Sequence, residues 1–405
     1  MSLILPSGVA PAASRILLAR SLRSFADGFV ALLLPRYLVL LGYDAWDIGM
    51  LISATLLGSG ALTLGAGFAA HRVGARRLLL LAALLMAATG VAVGHVSAFW
   101  PLLLVAFIGT INPTGGDVSV FLPLEQTLLA HAAPAASRTA LFARYSLFAG
   151  LASALGAQCA ALPALAAASW NMAESRALQL MFLLYGMAGL FTLIVYRGLP
   201  RSLESPHTEA HAALGPSRRR VYTMAAVFSM DSFGSGFAVQ SLLALWLYQR
   251  YGLSVTATAT LFFWLALLAA VSHPVASWIA SRIGLINTMV YTHLPANALC
   301  ALAPFMPNLE LVIACLVVRA FLSSMDVPTR TSYVMAVVTP SERPAAASLT
   351  QVPRSFTAAI SPAIAGYMLT LSSFGWPLVA CGLFKMAYDL TLLKMFHKVK
   401  PPEES

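Results

Sequence analysis

The chain has 405 residues, of which 59% are hydrophobic and only 10% are charged. Soluble domains carry about 25% charged residues, so this composition cannot cover a globular surface in water and excludes a soluble protein. The formal net charge of +10 would favour nucleic-acid binding in a soluble chain. In a membrane protein it reports topology instead, because cytoplasmic loops collect Lys and Arg. We therefore expect a lipid bilayer as partner and no nucleic acid.

Apolar runs of roughly 20 residues, each long enough to cross a bilayer core of about 30 Å, recur along the whole chain. The first follows arginines, as in a signal peptide, but continues without an A-x-A cleavage site, so we expect a retained helix. Hydropathy predicts twelve spans, near 14–41, 46–70, 77–95, 99–131, 139–168, 176–196, 221–250, 256–281, 286–304, 310–337, 345–371 and 377–396. The fourth contains Pro113, Gly115, Gly116 and Pro123, which weaken the backbone ladder and predict a bend.

One long polar segment, RGLPRSLESPHTEAHAALGPSRRR, separates the sixth span from the seventh. It shows no helical stripe, so we interpret it as a linker between two halves. Basic residues concentrate in this linker and in alternate loops, whereas GYDAWD, GHVSAFW, SWNMAES, PFMPNLE and SSFGW contain neither Lys nor Arg. The positive-inside rule therefore places both termini and the linker in the cytoplasm, and we expect an integral protein of a bacterial inner membrane.

The two halves repeat at an offset of about 210 residues. The matches are Gly28-Phe29 with Gly236-Phe237, HRVG with SRIG, Asp117 with Asp326, and Arg144 and Gly156 with Arg354 and Gly366. Glu125 has no acidic counterpart in the second half. The position that matches it in the repeat is near Arg330, a residue of opposite charge. Two six-helix halves related by an axis along the membrane normal are a transporter architecture.

The expected fold is therefore an all-α membrane protein of twelve transmembrane helices, in two six-helix bundles related by pseudo-two-fold symmetry. Residues 1–196 are predicted to form the first bundle and 197–220 the cytoplasmic linker. Residues 221–405 are predicted to form the second bundle with a short cytoplasmic tail. We expect the protein to be a monomer.

The loop between the second and third spans reads GFAAHRVGARR. With its glycines and the basic residues Arg72, Arg76 and Arg77, the chain resembles the major facilitator superfamily over essentially its whole length. In that family an acid stands where this chain has His71 and helps to latch the cytoplasmic gate. The resemblance thus implies a gate that is built differently here. It also implies that helices 1, 4, 7 and 10 line a central cavity.

Within that family the chain most resembles the multidrug and metabolite efflux branch, with two departures. Proton-coupled drug antiporters of the family carry an arginine in helix 4 and a Gly-Pro motif in helix 5. Here Thr110 stands near the position where that helix 4 arginine would fall. The residue that matches Thr110 in the repeat is Arg319 of helix 10, so the arginine is in the second half. The segment LGAQCAALP of helix 5 lacks the Gly-Pro pair. Both departures weaken the case for export by antiport.

Charged side chains at the bilayer centre cost about 2.5–3.5 kcal/mol each on insertion scales, so they must face one another or water. Those expected to bind substrate or proton are Asp27, Asp117, Asp231, Arg319, Asp326 and Arg330. Those expected to form gates or ion pairs are Arg23, Arg72, Glu125, Arg144 and Arg354. A carboxyl in low-dielectric surroundings can take up a proton near neutral pH, whereas a guanidinium keeps its proton and suits carboxylate or phosphate.

Helical spacing and depth predict specific partners for these charges, because residues four apart share a helix face. The predicted pairs are Arg23 with Asp27, Lys385 with Asp389, Glu125 with Arg144, and Asp326 with Arg354. For these charged residues two interpretations remain open. They form structural pairs that fix helix packing or lock gates, or they bind the coupling proton and the substrate. His71 and His293 have no ligand set, and the four cysteines lie in apolar runs without CxxC spacing. We expect no metal, no cofactor and no disulfide.

We expect a secondary active transporter that moves a small organic solute by alternating access, coupled to protons or another ion, with efflux favoured. The alternative is an importer or exchanger of an organic anion or zwitterionic metabolite. A non-transporting receptor or scaffold in the same fold is the alternative of another class. An enzyme is not expected, because no metal set, Ser/His/Asp constellation or phosphate loop is visible. The ATP-binding motif G-x-x-x-x-G-K-[ST] is also missing from the sequence.

Overall fold

Helices make up nearly all of the computed structural model, which describes residues 5, 8–114, 119–200, 215, 217–336, 338 and 343–396. A bilayer favours this because a helix satisfies its backbone N–H and C=O groups internally. Among the described residues the α-helices are α1 Ala12–Leu40, α2 Ala45–Val73, α3 Ala75–His95, α4 Phe99–Ile108, α5 Phe121–Ala132, α6 Ala135–Cys159, α7 Leu162–Trp170, α8 Glu174–Arg197, α9 Arg218–Gly236, α10 Gln240–Tyr251, α11 Val255–Ile283, α12 Leu285–Leu302, α13 Leu309–Ser323, α14 Asp326–Ala336, α15 Arg343–Leu371 and α16 Trp376–Phe396. A short 3-10 helix, Ala303–Phe305, follows α12.

All twelve predicted spans coincide with helices, but spans 4, 5, 7 and 10 are each divided into two consecutive helices. The break between α4 and α5 contains Pro113, where a bend was predicted. Pro163 stands in the first turn of α7, where its missing N–H needs no partner. The breaks in spans 7 and 10, at residues 237–239 and 324–325, contain no proline and were not predicted.

Five of the described helical segments are long and apolar enough to cross a membrane by length and composition alone. They are Ala45–Ala70, Ala75–His95, Leu141–Trp170, Glu174–Arg197 and Val255–Ile283. The charged helix α1 instead buries Arg20, Arg23 and Asp27 inside the protein, with 6%, 1% and 3% of their surfaces exposed. Burial among neighbouring helices keeps these charges away from lipid.

The two ends of the molecule differ in their loops. We call the end formed by loops 41–44, 96–98, 171–173, 252–254, 306–308 and 372–375 the uncharged-loop end, because these loops lack Lys and Arg. The opposite end carries the loops at 74, 133–134 and 284 together with the linker, and we call it the arginine-loop end. Trp100 and Trp170 are both 73% exposed near the uncharged-loop end, as expected for tryptophans at a membrane interface.

Local structure supports the predicted repeat. Gly74 and Gly284 each separate two helices with φ of 88° and 86°, a conformation that favours glycine because it has no Cβ. Gly28 packs closely on the backbone of α6, and Gly236 packs in the same way on the backbone of α15. At these positions the repeat predicted from the sequence is confirmed.

Helices α1 to α8 form the first bundle, in which α1 packs on α6 and α8, and α3 packs on α8. Helices α9 to α16 form the second, in which α9 packs on α15 and α12 packs on α16. The bundles meet through α2 against α15 and α6 against α11. The predicted boundaries at residues 196 and 220 stay predictions, because residues 201–214 and 216 lie outside the described part of the chain.

The two bundles touch closely at the uncharged-loop end. A Cβ added to Gly49 of α2 would lie only 2.9 Å from the Cα of Gly366 of α15. Trp46 and Tyr367 meet edge to face across the same junction, with ring centroids 5.7 Å apart. The backbone N–H of Ala363 donates a hydrogen bond of 2.9 Å to Oγ of Ser53.

The broken helices contribute to the same closure. Ser241 at the start of α10 donates a hydrogen bond of 2.6 Å to the carbonyl of Ala31 in α1. Farther along α2, toward the arginine-loop end, a Cβ at Gly65 or Gly67 would meet nothing within 4 Å. The bundles are therefore packed together at the uncharged-loop end, and α2 is open at these two exposed glycines near the other end.

Candidate functional site

A buried ion pair joins α1 and α5 inside the first bundle. Nη2 of Arg23 binds Oε2 of Glu125, and Glu125 has no exposed surface. Tyr145 of α6 and Tyr196 of α8 donate hydrogen bonds of 2.6 Å and 2.5 Å to the two carboxylate oxygens. The guanidinium of Arg23 also lies 4.0 Å from the ring centroid of Phe121. A buried carboxylate with this many partners is well compensated.

Two predicted pairs of the first bundle are wrong. Arg23 binds Glu125 rather than Asp27, because it reaches across to α5 instead of along its own helix. Glu125 therefore does not pair with Arg144, whose Nη1 has no hydrogen-bond partner among the described residues. Asp27 is only 3% exposed, and no described residue forms a hydrogen bond or ion pair with its carboxyl.

A larger group of charges lies in the second bundle, and we call it the Asp231 cluster. Its members are Asp231 of α9, Asp326 and Arg330 of α14, Arg354 of α15 and Lys385 of α16. Asp231 lies 3.0 Å from Arg330, 3.1 Å from Lys385 and 3.8 Å from Arg354. Asp326 lies 2.8 Å from Arg330. The cluster thus contains three cations and two carboxylates.

Two predicted pairs of the second bundle are also wrong. Arg354 contacts Asp231 rather than Asp326, and its Nε donates a hydrogen bond of 2.9 Å to Ser232. Lys385 likewise reaches Asp231 instead of Asp389 on its own helix. In each case the side chain crosses to a neighbouring helix, which a spacing rule within one helix cannot anticipate.

The two bundles place opposite charges at matching positions. The pair Arg23 and Glu125 joins the first helix of its bundle to the inner part of the fourth. The pair Asp231 and Arg330 makes the same connection in the second bundle with the signs exchanged. The repeat in the sequence matches Glu125 with a position near Arg330. In the structure each of these two residues forms an ion pair within its own bundle.

Two further predicted site residues, Arg319 and Arg72, lie apart from these pairs. Arg319 of α13 lies beside the thiols of Cys300 and Cys381, within the second bundle. Among the described residues it forms no ion pair, and its Nε has no hydrogen-bond partner. Arg72 is exposed near the end of α2. Asp117 lies outside the described residues, so its predicted role stays a prediction.

Comparison with known proteins identifies the family. The family model of the Major Facilitator Superfamily matches residues 16–309. The chain belongs to the Major Facilitator Superfamily. It is therefore a membrane transporter rather than an enzyme, as the sequence predicted.

Three similar proteins extend the comparison over most of the chain. The uncharacterized membrane protein YJR124C of Saccharomyces cerevisiae is 23% identical over 410 residues, which cover 93% of this chain and 92% of the relative. A mutant of the nucleoside transporter NupG superimposes with a TM-score of 0.75 at 13% identity, covering 95% and 100% of the two chains. The human organic anion transporter MFSD10 (TETRAN) gives a TM-score of 0.67 at 16% identity, covering 94% and 100%. The two solved structures share the superfamily fold of twelve helices in two bundles.

Sequence reasoning missed several partners in this superfamily chain. His293 of α12 was set aside as a lone histidine, yet it lies 2.8 Å from Asp389 of α16. Asn297, one turn along α12, donates a hydrogen bond of 2.8 Å to the same carboxylate. The spacing of His293 and Asn297 was the available signal, because residues four apart share one helix face.

A cleft of about 360 Å³ opens between the two bundles at the uncharged-loop end. Its lining includes Arg36, Tyr43, Asp44, Tyr248, Gln249 and Thr370. Arg36 is held there by two hydrogen bonds of 2.8 Å to Glu174. The cleft belongs to the end of the molecule, whereas the Asp231 cluster lies within the bundle, so we assign the charged interior as the candidate site of this transporter.

Asp231→Asn is expected to destabilise the protein more than Asp326→Asn. Asp231 has three cationic neighbours whereas Asp326 has one, and removing one partner of a buried pair costs about 3–5 kcal/mol. Thermal unfolding of the two purified variants in detergent measures the difference, with the exposed Glu310→Gln as control. Equal melting temperatures for the two variants would contradict the central position of Asp231.

Proposed function

We propose that this transporter is a proton-coupled secondary active transporter of a small organic solute that carries an anionic group. The observation that carries the proposal is the arrangement of buried charges in matching helices of the two bundles. One bundle contains a buried carboxyl without a bonded partner in the described residues, and the other contains a group of charges with more cations than carboxylates.

Asp27 is the proposed site of the coupling proton. Glu125, Asp231 and Asp326 are all held by cations, and neutralising any of them would weaken at least one buried ion pair. Asp27 is buried without such a partner, so gaining or losing a proton there breaks no ion pair. Asp117 remains a second candidate on the basis of its predicted repeat with Asp326.

The Asp231 cluster is the proposed binding site for the anionic group of the solute. Arg354 is the least firmly held of its cations, because it is 3.8 Å from Asp231 and 18% of its side chain is exposed. A guanidinium in this setting suits a carboxylate or phosphate. The similar fold of a human organic anion transporter supports this class of solute.

The proposed direction is efflux, driven by protons that return through the protein, because the sequence most resembles the efflux branch. The excess of cations in the Asp231 cluster favours a second candidate, the import or exchange of an organic anion or zwitterion. Closure at the uncharged-loop end and the open positions of Gly65 and Gly67 in α2 near the other end support alternating access in either case. Reversing the sign of the proton gradient in a flux assay distinguishes the two directions.

Asp27→Asn is expected to reduce proton-driven flux by about tenfold or more, a size typical of coupling between two binding sites. The assay uses proteoliposomes with an imposed pH gradient and a panel of organic anions, zwitterions and cations. Glu310→Gln, an exposed acid in the first turn of α13, is the matched control and should transport as the unmodified protein does. Asp117→Asn tests the second candidate in the same assay.

Two outcomes would contradict the proposal. One is the absence of any flux that depends on the proton gradient across the whole panel. The other is equal gradient-driven flux in Asp27→Asn, Asp117→Asn and the unmodified protein.

A further inference from the structure

Three polar side chains meet between α12 and α16, outside the ion pairs described above. Nδ1 of His293 lies 2.8 Å from Oδ1 of Asp389. Asn297 donates a hydrogen bond of 2.8 Å to Oδ2 of the same carboxylate and lies 3.1 Å from the histidine ring nitrogen. The side chain of His293 is 2% exposed, and that of Asp389 has no exposed surface. We call these three residues the His293 cluster.

The hydrogen bonds of the His293 cluster define where protons lie. The two oxygens of Asp389 contact Asn297 and His293, and we assign Asp389 as an ionised carboxylate that accepts a hydrogen bond from each. In the matching tautomer Nδ1 of His293 carries the hydrogen donated to Asp389, and the second ring nitrogen, Nε2, is the acceptor of a neutral imidazole. No described residue forms a hydrogen bond with Nε2, so it can accept one further proton.

The His293 cluster adjoins the Asp231 cluster. Lys385 and Asp389 are four residues apart on α16, and Lys385 lies 3.1 Å from Asp231. The Asp231 cluster has one more cation than carboxylate, the ionised Asp389 offsets that charge, and Arg319 is a further cation close enough to act on Lys385. A proton on His293 therefore adds one uncompensated positive charge to this interior, and the low dielectric strengthens its effect on neighbouring groups.

Other charged and titratable groups lie on the helices that pack against α12. They are Tyr388 and Asp389 of α16, Asp326 and Arg330 of α14, Arg319 of α13, and His273 and Arg282 of α11, and Asp231 of α9 interacts electrostatically with His293. Of these, Tyr388 places its ring 5.9 Å from the ring of His293, and Arg319 lies beside Cys300, seven residues along α12. Helix α11 carries no acid. Asp389 is thus the group that stabilises a protonated His293.

We infer that the His293 cluster is a second proton-binding site, separate from Asp27, and that its occupancy sets the positive charge of the Asp231 cluster. Acid pH loads the site and raises that charge, whereas alkaline pH empties it. This deepens the proposed function, since a more positive cluster attracts an anionic solute more strongly. Proton binding itself does not depend on the proposed function.

Nuclear magnetic resonance of the full-length protein in lipid nanodiscs, labelled with ¹⁵N-histidine and ¹⁵N-lysine, tests the inference without any transported solute. His293→Gln assigns the His293 signal, and if that variant does not fold, displacement of the signal in Asp389→Asn assigns it instead. We expect the ring-nitrogen signals of His293 to change reversibly with pH as a proton binds at Nε2. The ammonium signal of Lys385 should shift with the same midpoint.

His95 provides the matched control because it is exposed. His95→Gln should leave both pH responses unchanged, and Asn297→Ala should alter the pH response of His293, since it removes one hydrogen bond to Asp389. Signals of His293 that stay constant over the whole range would overturn the inference. A titrating His293 with an unresponsive Lys385 would overturn the connection to the Asp231 cluster.

Discussion

Glu125→Gln is expected to be strongly destabilising. The substitution leaves the guanidinium of Arg23 buried without its carboxylate, and such a loss costs about 3–5 kcal/mol. It also weakens the hydrogen bonds that Tyr145 and Tyr196 donate to the same group. The expected result is a large fall in the melting temperature of the purified protein in detergent, together with lower yield from the membrane.

Glu174→Gln is the matched control for this prediction. Glu174 also pairs with an arginine, Arg36, but both side chains are about one third exposed. An exposed pair contributes at most about 1 kcal/mol, so this variant should melt close to the unmodified protein. A double variant, Arg23→Met with Glu125→Leu, should recover part of the lost stability, because it removes the unpaired charge. Equal destabilisation by Glu125→Gln and Glu174→Gln would contradict the account of the buried pair.

Gly49→Ala is expected to prevent closure of the uncharged-loop end. The added methyl group would collide with the backbone of α15 at Pro362 and Gly366, and backbone cannot move aside as a side chain can. Because the contact lies between the bundles and not within one, each bundle should still fold. We expect solute flux to fall by about tenfold or more, the range seen when a conformational equilibrium is displaced by a few kcal/mol.

The closure itself can be measured by labelling. A cysteine replacing Ser53, which lies in the α2–α15 contact and is 8% exposed, should resist a membrane-impermeant maleimide in the otherwise unmodified background. Gly49→Ala should make it reactive, whereas Gly65→Ala, at an open position of the same helix, should not. Equal labelling in these two variants would show that the glycine contact does not seal this end.

Much of the fold could be predicted from the sequence, for reasons that the structure makes clear. Apolar length fixes where helices lie, so the predicted spans match the observed helices closely. Pro113 indicated the break in the fourth span. The breaks before Gln240 and Asp326 contain no proline, so they could not be predicted from local sequence. The repeat was visible because glycines such as Gly74 and Gly284 meet a requirement of the backbone itself.

The partners of the buried charges could not be predicted in the same way. Spacing along one helix indicates which residues share a face, but not which neighbouring helix that face meets. Lys385 illustrates the limit, because it stands four residues from Asp389 and yet binds Asp231 on α9. Knowing the contacts of α16 with both α9 and α12 would have been necessary to separate the two acids into two clusters.

The opposite signs of the matching pairs are relevant to transport. Arg23 with Glu125 and Asp231 with Arg330 make each bundle internally neutral at its first-to-fourth helix contact. In the proposed alternating access, each bundle therefore moves without breaking a buried pair between the bundles. Asp27 in one bundle and the additional cations of the Asp231 cluster in the other are the groups we propose for proton and solute.

Distances between spin labels at the two ends of the molecule test the central claim of alternating access most directly. One pair of labels replaces the exposed residues Ala98 and Ser373 at the uncharged-loop end, and the other replaces Arg77 and Ser281 at the arginine-loop end. Electron paramagnetic resonance at several pH values should show the first distance lengthening as the second shortens. Two distances that stay constant, or that lengthen together, would contradict the movement of one bundle against the other.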